Sequence, residues 1–531
     1  MNRIMCLIAC ACACALVTLA GCGDDPAGPS AVPGFLHLTT QAEVDAQAGL
    51  REVSGALTIG PSDDIVSLAP LAGLVQVGES LRIFDNARLT SLAPLADLRG
   101  EIPIVEIGGN PLLTHLNGLG GVRPTQTFSL SSNAVLGDVS GLGDLSGVRR
   151  MQINGNPALA DLSALAGLDS LRHLILRAGH AAATPAQLGT MPALERLELT
   201  GMPGVRDFAL PGAPNLAELR AMDLANLEEL GDLSGLSSLA SLIVTGAPRL
   251  ARCGAVGATP GLAVLSVNRA ALLTDVSGFT DLSGLEVLEL DELSALTTLA
   301  GLPELPGLRN LSLGNLPLLA EMPAWTGTAP LGIVVFACDG LARLADLPLS
   351  DRLQNLSVGH CPLVAGVAEL SGATALQTLT LRDLPGVVGL DGLQMPATLR
   401  FLQLNALDGL TSLAGVSDLP PQLELALMDM DGLTSLAGLE QVTELGALVL
   451  SANAALTSLA GLENLAVLRS QLRVYANESL VAIGAFAADL AVPQVQIAGN
   501  PALDQCVAAG LVAGWQGVQS VQITENGPCA E

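Results

Sequence analysis

Apolar residues recur along most of the chain at fixed spacing, and the stretch 151–173 displays the pattern most clearly. Its inward-facing slots are occupied by Met151, Ile153, Asn156, Leu159, Leu162, Leu165, Leu168 and Leu171. The first two of these alternate with polar residues, which predicts a β-strand with one buried face. The later leucines recur every third residue, which favours 3₁₀-like or extended turns over an α-helix. Because the pattern begins again at Leu174, the stretch is one unit of a repeat.

Copies of this unit follow one another at steps of 22–24 residues. The predicted rungs begin at Leu57, Leu81, Val105, Phe128, Met151, Leu174, Leu197, Leu219, Leu242, Leu265, Leu288, Leu311, Ile333, Leu356, Leu379, Leu402, Leu425, Leu448, Leu472 and Val495, with a final strand near Val521. Such self-similarity predicts a solenoid, in which the strands of successive rungs pair in parallel about 4.8 Å apart. We therefore expect one long parallel β-sheet with turns on its back, in about 20 rungs and on the order of 100 Å long.

The repeat resembles that of the leucine-rich-repeat superfamily over roughly residues 55–503. The phrase LTSLAGLENLAVL at 456–468 is similar to internalin-type surface proteins. The segment 55–98, with GALTIG and LAGLVQVGESLRIFDNARLTSLAPLADL, is similar to receptor L domains. The resemblance implies a leucine-rich-repeat solenoid of the α/β repeat class, dominated by β-structure, together with export and protein recognition through the strand face. It supplies no catalytic residues.

One inward slot, the asparagine slot filled by Asn156 in the stretch 151–173, differs between the ends and the middle of the chain. Asparagine occupies it in Asn86, Asn110, Asn133, Asn156, Asn453, Asn477 and Asn500. Between these it holds Gly179, Met202, Leu224, Ala247, Ala270, Leu293, Leu316, Cys338, Cys361, Leu384, Leu407 and Met430. The resemblance implies that the asparagine bonds turn backbone that would otherwise be buried unpaired. We therefore expect looser turns or a different curvature in the middle rungs.

The N-terminal residues have the organisation of an export signal. Arg3 precedes an apolar stretch from Ile4 to Ala20, and small residues follow, as in a secretory signal peptide. The ending Leu19-Ala20-Gly21-Cys22 resembles the lipobox of bacterial lipoproteins, which implies that Cys22 is acylated and becomes the mature N-terminus. Gly23 stands where an aspartate would resemble an inner-membrane retention signal, so the outer membrane is favoured. An uncleaved membrane anchor of similar length is the alternative, and either interpretation implies an exported, tethered body.

These patterns divide the chain into five segments. They are the signal peptide 1–21, the lipidated cysteine and flexible tether 22–35, an N-terminal cap 36–56, the solenoid 57–503 and a C-terminal cap 504–531. In the N-terminal cap, Thr40 and Glu43 fit a capping box at the start of a short helix. In the C-terminal cap, a helix from Asp504 to about Trp515 is expected before the strand SVQIT.

Composition excludes one large class of partners. Half of the residues are hydrophobic but only 2% are aromatic, so the core must be aliphatic. The formal net charge is −28, from 51 acidic and 23 basic residues. Because nucleic-acid binding depends on cations that neutralise phosphates, this balance argues against it. A solvated acidic surface is a simpler explanation of the charge than a site for cationic partners.

Five cysteines remain beyond the signal and Cys22. Cys506 and Cys529 flank the C-terminal cap, where a disulfide would hold an otherwise fraying end. Cys338 and Cys361 both fall in the asparagine slot of adjacent rungs, close enough for a disulfide but equally compatible with two buried free thiols. Cys253 takes a core leucine position and is expected to be a buried hydrophobic residue.

No motif predicts catalysis, a cofactor or a metal. The histidines His37, His115, His173, His180 and His360 are scattered over different rungs, without ligand spacing or a nucleophile motif. Neighbouring acids such as Asp63-Asp64 and Asp291-Glu292 lack the spacing of a calcium loop. We therefore expect a chain that is not an enzyme, with no cofactor and no metal site.

The outward residues of the strands are mostly small or polar, which leaves few candidates for a binding site. Interfaces draw most of their energy from a few aromatic and arginine anchors. The most interface-like group is Phe336, His360, Arg382 and Asp383; smaller groups are Arg473 with Tyr475 and Phe84 with Arg82. Sporadic surface aromatics without a partner are the competing explanation.

These observations predict an exported, lipid-anchored, monomeric protein that binds a protein or a surface glycan through its strand face. The alternative is a structural envelope or adhesion component without a discrete ligand. A third reading is an enzyme whose catalytic residues the sequence does not reveal.

Overall fold

The computed structural model describes residues 30–178, 184–208, 210, 212–254, 256–416, 418–484, 486 and 489–529. The predicted signal peptide, Cys22, most of the tether, Gly179 and His180 lie outside the described residues. The described residues form two α-helices, α1 (Gln41–Asp45) and α2 (Gln505–Val512). Among the described residues, no helix is both long enough and apolar enough to span a membrane.

Short strands make up most of the regular structure. The strands of the first half are β1 (Ala31–Val32), β2 (Leu36–Leu38), β3 (Glu52–Val53), β4 (Ala56–Ile59), β5 (Gln76–Val77), β6 (Ser80–Phe84), β7 (Arg99–Gly108), β8 (Gly121–Ser131), β9 (Arg150–Asn154), β10 (His173–Arg177), β11 (Arg196–Thr200), β12 (Glu218–Met222), β13 (Ser241–Thr245) and β14 (Gly257–Ala258). Those of the second half are β15 (Val264–Asn268), β16 (Phe279–Asp281), β17 (Val287–Asp291), β18 (Asn310–Gly314), β19 (Gly332–Phe336), β20 (Asn355–Gly359), β21 (Thr378–Arg382), β22 (Phe401–Asn405), β23 (Glu424–Met428), β24 (Glu444–Ser451), β25 (Val467–Tyr475), β26 (Gln494–Ala498) and β27 (Ser520–Thr524).

One long parallel sheet runs the length of the described chain, as predicted. Each strand pairs in register with the strand of the next rung, so that Leu174 lies between Met151 and Leu197. Every predicted rung start lies inside a strand of this sheet. The sheet begins one strand earlier than predicted, because β2 pairs in parallel with β4 inside the segment assigned to the N-terminal cap. Two small parallel sheets, β1-β3-β5 and β14-β16, lie outside it.

The back of the solenoid consists of tight turns, also as predicted. Short 3₁₀ helices occupy Ala69–Leu71, Ala93–Leu95, Ser163–Leu165, Pro185–Leu188, Leu344–Asp346 and Ala368–Gly372. The leucines that recur every third residue point inward; Leu159, Leu162 and Leu165 are fully buried. Each such leucine contributes about 2 kcal/mol of burial free energy, so a thin aliphatic core suffices without aromatic residues.

The residue directly after each strand of the long sheet from β4 onward adopts a left-handed conformation, which the sequence did not predict. Positive φ occurs there whether the residue is glycine, as at Gly155 (φ 60°), or alanine, as at Ala406 (φ 50°). The N–H of the left-handed residue donates a hydrogen bond to the carbonyl of the last residue of the next strand, as from Ala337 to Gly359 at 3.0 Å. The left-handed residue thus extends the ladder of hydrogen bonds beyond the sheet.

The asparagine slot forms a second, side-chain ladder near both ends of the solenoid. The Nδ2 of buried Asn110 donates to the carbonyls of Ile83 and Gly108 at 3.0 and 2.9 Å. The backbone N–H of Asn110 donates to Oδ1 of Asn133 on the next rung at 3.1 Å. At the C-terminal end, Asn526 continues this ladder: its Oδ1 accepts a hydrogen bond from Nδ2 of Asn500 at 2.9 Å. The sequence did not predict this member of the ladder.

The middle rungs satisfy their turns in other ways. Cys338 places its thiol where the asparagine amide would be, with Sγ 3.7 Å from the carbonyl of Leu313. The N–H of Leu316 donates instead to the carbonyl of Ala337 at 3.0 Å. The bond from the left-handed residue also persists, as from Arg269 to Asp291 at 3.0 Å. The turns at Leu316 and Arg269 thus keep backbone partners without the asparagine, and looser turns or a different curvature in the middle rungs stay a prediction.

Both ends of the solenoid are covered. Thr40 and Glu43 form the predicted capping box at the start of α1, whose buried Val44 packs into the core. At the other end, the side chain of Asp504 caps α2 by accepting from the N–H groups of Cys506 and Val507. This helix ends at Val512, earlier than the predicted end near Trp515.

Candidate partner-binding face

The outer surface of the sheet presents three parallel rows of side chains. In each five-residue strand from β6 to β26 the second and fourth residues are buried, while the first, third and fifth face outward; β9 is typical. We call the positions equivalent to Arg150, Gln152 and Asn154 row A, row B and row C. Because the strands pair in register, each row runs along the solenoid axis with one residue per strand.

The structure brings together the four residues of the main predicted group. Phe336, in row C of β19, is 40% exposed, and its ring meets that of His360 edge-on with centroids 4.5 Å apart. The Nδ1 of His360 contacts the carboxylate of Asp383. His360 and Asp383 are left-handed residues at the rim, directly after β20 and β21. Arg382 lies in row C, two strands from Phe336.

Three features of this group were missed by sequence reasoning. Val334, in row B beside Phe336, is 47% exposed, which gives β19 two neighbouring exposed apolar side chains. Glycines flank Phe336 in row C on both sides, Gly314 on β18 and Gly359 on β20. A Cβ at position 359 would lie 3.3 Å from Cδ2 of Phe336, so glycine there gives the ring room. An alignment of the outward-facing positions of adjacent rungs would have revealed these residues in the sequence.

A shallow depression of about 280 Å³ lies beside Val334 on the strand face. Gly332 in row A forms its low point, between the side chains of Asn310 and Asn355 on the neighbouring strands. Ser312 and Ser357 line it in row B. The strand-face positions around the exposed apolar pair are therefore uncharged and rich in hydrogen-bonding groups, and the carboxylate of Asp383 lies at the rim beside His360.

Charges of opposite sign border this uncharged region. On β17, Glu289 in row B and Asp291 in row C accept from Ser266 Oγ at 3.0 Å and from Asn315 Nδ2 at 2.8 Å. Both carboxylates thus bond neutral donors. On the opposite side, Arg382 is exposed, and none of the ion pairs found among the described residues involves it.

The other two predicted groups lie far from this one. Arg473 and Tyr475 occupy rows B and C of β25, six strands beyond β19. Near the N-terminal end, Arg82 in row B of β6 is paired with Glu106 at 2.8 Å, next to Phe84 in row C. The structure therefore supports one compact group and two separate pairs.

Acids and arginines are balanced on the strand face although the chain is strongly acidic. Its arginines are Arg82, Arg150, Arg177, Arg196, Arg220, Arg382 and Arg473, and its acids are Glu106, Glu198, Glu218, Glu289, Asp291 and Glu424. Several of these pair across strands, as Arg177 does with Glu198 at 2.5 Å. The excess negative charge therefore lies on the edges and back.

Many of the acids on the back cap turns. Asp232 accepts from the N–H of Ser234 at 2.9 Å, and hydrogen bonds from the Ser234 side chain and backbone lower the pKa of Asp232. The same arrangement lowers the pKa of Asp161 through Ser163. These carboxylates have a structural task, which accounts for part of the net charge without a cationic ligand.

The cysteines divide into one disulfide and three buried thiols among the described residues. Cys506 and Cys529 are bonded, with their Cα atoms 5.1 Å apart. Cys338 and Cys361 are unbonded, so of the two open alternatives the structure has the free thiols, and burial raises the pKa of Cys338 to about 12. Cys253 is buried as predicted, and burial raises its pKa to about 12.

Larger clefts and a cluster of metal-type ligands occur elsewhere in the described chain, but they are weaker candidates for a binding site. A cleft of about 540 Å³ on the back contains Trp325, whose Nε1 is already bonded to the carbonyl of Pro303 at 2.9 Å. In the part of the chain that the structure describes, the one close group of metal-type ligands is Asp504 with Cys506 and Cys529. Both of its sulfurs belong to the disulfide, so this group offers no free thiolate.

Comparison with known proteins finds similarity at the level of solved structures. No family model and no curated protein matches the sequence. A leucine-rich-repeat protein of Leptospira interrogans is 16% identical over 71% of this chain and 91% of its own, with a TM-score of 0.34. An internalin of Listeria monocytogenes is 15% identical over 75% of this chain and 86% of its own, with a TM-score of 0.21. The plant peptide hormone receptor RGFR1 in complex with RGF2 is 15% identical over 94% of this chain and 97% of its own, with a TM-score of 0.30.

The fold follows from the chain's own geometry. Repeats of 22–24 residues each supply one strand to a parallel sheet, a run of buried leucines and a tight turn on the back. Buried asparagines form a ladder along the turns at both ends. The chain has the fold of a leucine-rich-repeat solenoid.

Proposed function

We propose that this chain is an exported, lipid-anchored, monomeric protein that binds a protein partner through its strand face. The observation that carries the proposal is the adjacent exposure of Val334 and Phe336 at the centre of an uncharged region of the sheet. Aromatic side chains such as Phe336 are enriched in interfaces, where a few aromatic and arginine anchors supply most of the binding energy. A neighbouring arginine, Arg382, provides a second anchor of the type that interfaces favour.

The lipid anchor is proposed from the sequence at the N-terminus. The apolar stretch that ends at Leu19-Ala20-Gly21-Cys22 supports cleavage before Cys22 and acylation of that residue. Gly23 supports the outer membrane as the destination. Metabolic labelling with an alkyne fatty acid tests this: the protein should incorporate label, and Cys22→Ala should abolish incorporation. Label retained by the variant would contradict the proposal.

Proximity labelling in the native host tests the partner-binding role. The protein, fused to a labelling enzyme, is compared with the double variant Phe336→Ala, Arg382→Ala. The matched control is Val388→Ala, because Val388 is 71% exposed but lies outside the strands. We expect the double variant to lose specific labelled proteins that the control retains.

Other outcomes would favour the other readings. Labelled proteins that are identical for all three forms would contradict partner binding at this site and favour a structural envelope or adhesion component. Co-purified material that resists protease but is destroyed by periodate would instead identify a surface glycan.

A further inference from the structure

Row C changes its chemistry in a fixed order over five consecutive strands. From β17 to β21 it carries Asp291, Gly314, Phe336, Gly359 and Arg382, each paired in register with the next. At about 4.8 Å per strand, Phe336 lies on the order of 10 Å from the backbone of either charged residue. The two charged residues are on the order of 19 Å apart.

Both charges are available to a ligand. Asp291 accepts a hydrogen bond from the neutral amide of Asn315, and Glu289 on the same strand adds a second carboxylate. Arg382 is exposed at the other end of the row. No charged residue lies in rows A, B or C of β18, β19 or β20.

The centre of this region combines an apolar projection with polar backbone-binding groups. Phe336 projects between two glycines, while Gly332 in row A leaves a low point between the amides of Asn310 and Asn355. A primary amide can donate to a peptide carbonyl and accept from a peptide N–H at once. The two amides are two strands apart, on the order of 10 Å, which is about three residues of an extended chain.

We propose, on the basis of the partner-binding role given above, that row C from Asp291 to Arg382 recognises an extended polypeptide segment that crosses the strands. This segment carries a basic side chain against Asp291 and Glu289, an apolar side chain against Phe336 and Val334, and an acidic side chain against Arg382. A distance of about 19 Å corresponds to about six residues of extended chain. Opposite charges and an apolar group on one short chain are characteristic of polypeptides, which favours a peptide over a neutral glycan.

Charge exchange with synthetic peptides tests this inference. Three fluorescent peptides carry a central leucine and, about six residues apart, one arginine and one aspartate, two arginines, or two aspartates. Fluorescence polarisation with the purified protein should show the mixed peptide binding at least about fivefold more tightly than either other peptide. Arg382→Asp should transfer the preference to the peptide with two arginines, and Asp291→Arg to the peptide with two aspartates.

Controls separate specificity from folding. Arg473→Asp, in row B of β25, should leave the order of the three peptides unchanged. If a charge reversal fails to fold, the neutral variant Arg382→Gln should remove the discrimination between the mixed peptide and the peptide with two arginines. Asp291→Asn should weaken the discrimination between the mixed peptide and the peptide with two aspartates. An unchanged order of peptides in the charge variants, or no discrimination by the unaltered protein up to millimolar peptide, would overturn the inference. Host proteins that still depend on Phe336 in that case would leave the general partner-binding role standing.

Discussion

Removal of a single amide from the asparagine ladder should destabilise the rungs around it. Asn133 is fully buried, and its Nδ2 donates to the carbonyls of Ile107 and Ser131 at 3.3 and 3.0 Å and to Asn156 Oδ1 at 3.1 Å. Its Oδ1 accepts from the backbone N–H of Asn110 at 3.1 Å. Asn133→Ala removes these four side-chain bonds, although the carbonyl of Ser131 still accepts from the N–H of Gly109 and Asn156 Oδ1 still accepts from the backbone N–H of residue 133.

The expected magnitude follows from the number of bonds that are lost. At about 1 kcal/mol net for each buried hydrogen bond, Asn133→Ala should lower the local free energy of unfolding by about 3–5 kcal/mol. Asn133→Cys is the matched variant, because Cys338 holds the equivalent slot with its thiol 3.6 Å from the carbonyl of Phe336. A thiol restores part of the bonding, so this variant should lose about half as much.

Hydrogen exchange measured by mass spectrometry is the suitable assay. Because a solenoid's stability is a sum over neighbouring rungs, exchange should accelerate in peptides from residues 105–156 and stay unchanged in peptides from residues 379–450. The reasoning would be refuted if alanine and cysteine had equal effects. It would also be refuted if the alanine variant changed local stability by less than about 1 kcal/mol.

Three further predictions concern the turns, the acids and the C-terminal cap. Ala406→Gly should stabilise the protein and Gly155→Ala should destabilise it, each by about 1 kcal/mol in urea unfolding, because both positions have positive φ; opposite signs would contradict the left-handed turn. The pKa of Asp232 is lowered in the folded state, so the ionised carboxylate stabilises the fold above the ordinary aspartate pKa, and this stabilisation is lost as the pH falls through the folded pKa. Asp232→Ala should therefore reduce the loss of stability in acid. An unchanged dependence of stability on pH would contradict this. Cys506→Ser with Cys529→Ser opens a link that spans 23 residues and should cost about 3 kcal/mol, with faster hydrogen exchange confined to residues 504–529; intact protection there would contradict the stabilising role.

The strands of the sheet could be predicted because each buries one face. Strict alternation, as in Met151 and Ile153, leaves only one register that places apolar residues inside, so every rung start was located. The strand β2 was missed because three residues are too few to establish a period. The left-handed turn after the strands of the long sheet was also missed, because its position holds alanine or an acid more often than glycine.

The candidate site was only partly predictable, for a different reason. Phe336 and His360 lie on adjacent rungs at neighbouring positions, so a simple count of the repeat brings them together. The order of charges in row C is set by a single position in each of five successive rungs. The two charged residues at the ends of this row, Asp291 and Arg382, are four repeats apart in sequence. Only a sheet whose register is known for every rung aligns them.

Site-specific photo-crosslinking in the native host tests the central claim most directly. A benzophenone amino acid replaces Val334, which is exposed on the strand face, or Val388, which is exposed outside the strands. After irradiation, the protein with the probe at position 334 should form a discrete covalent adduct with a protein, and the protein with the probe at position 388 should not. Absence of an adduct at position 334, or the same adducts at both positions, would contradict recognition through the strand face.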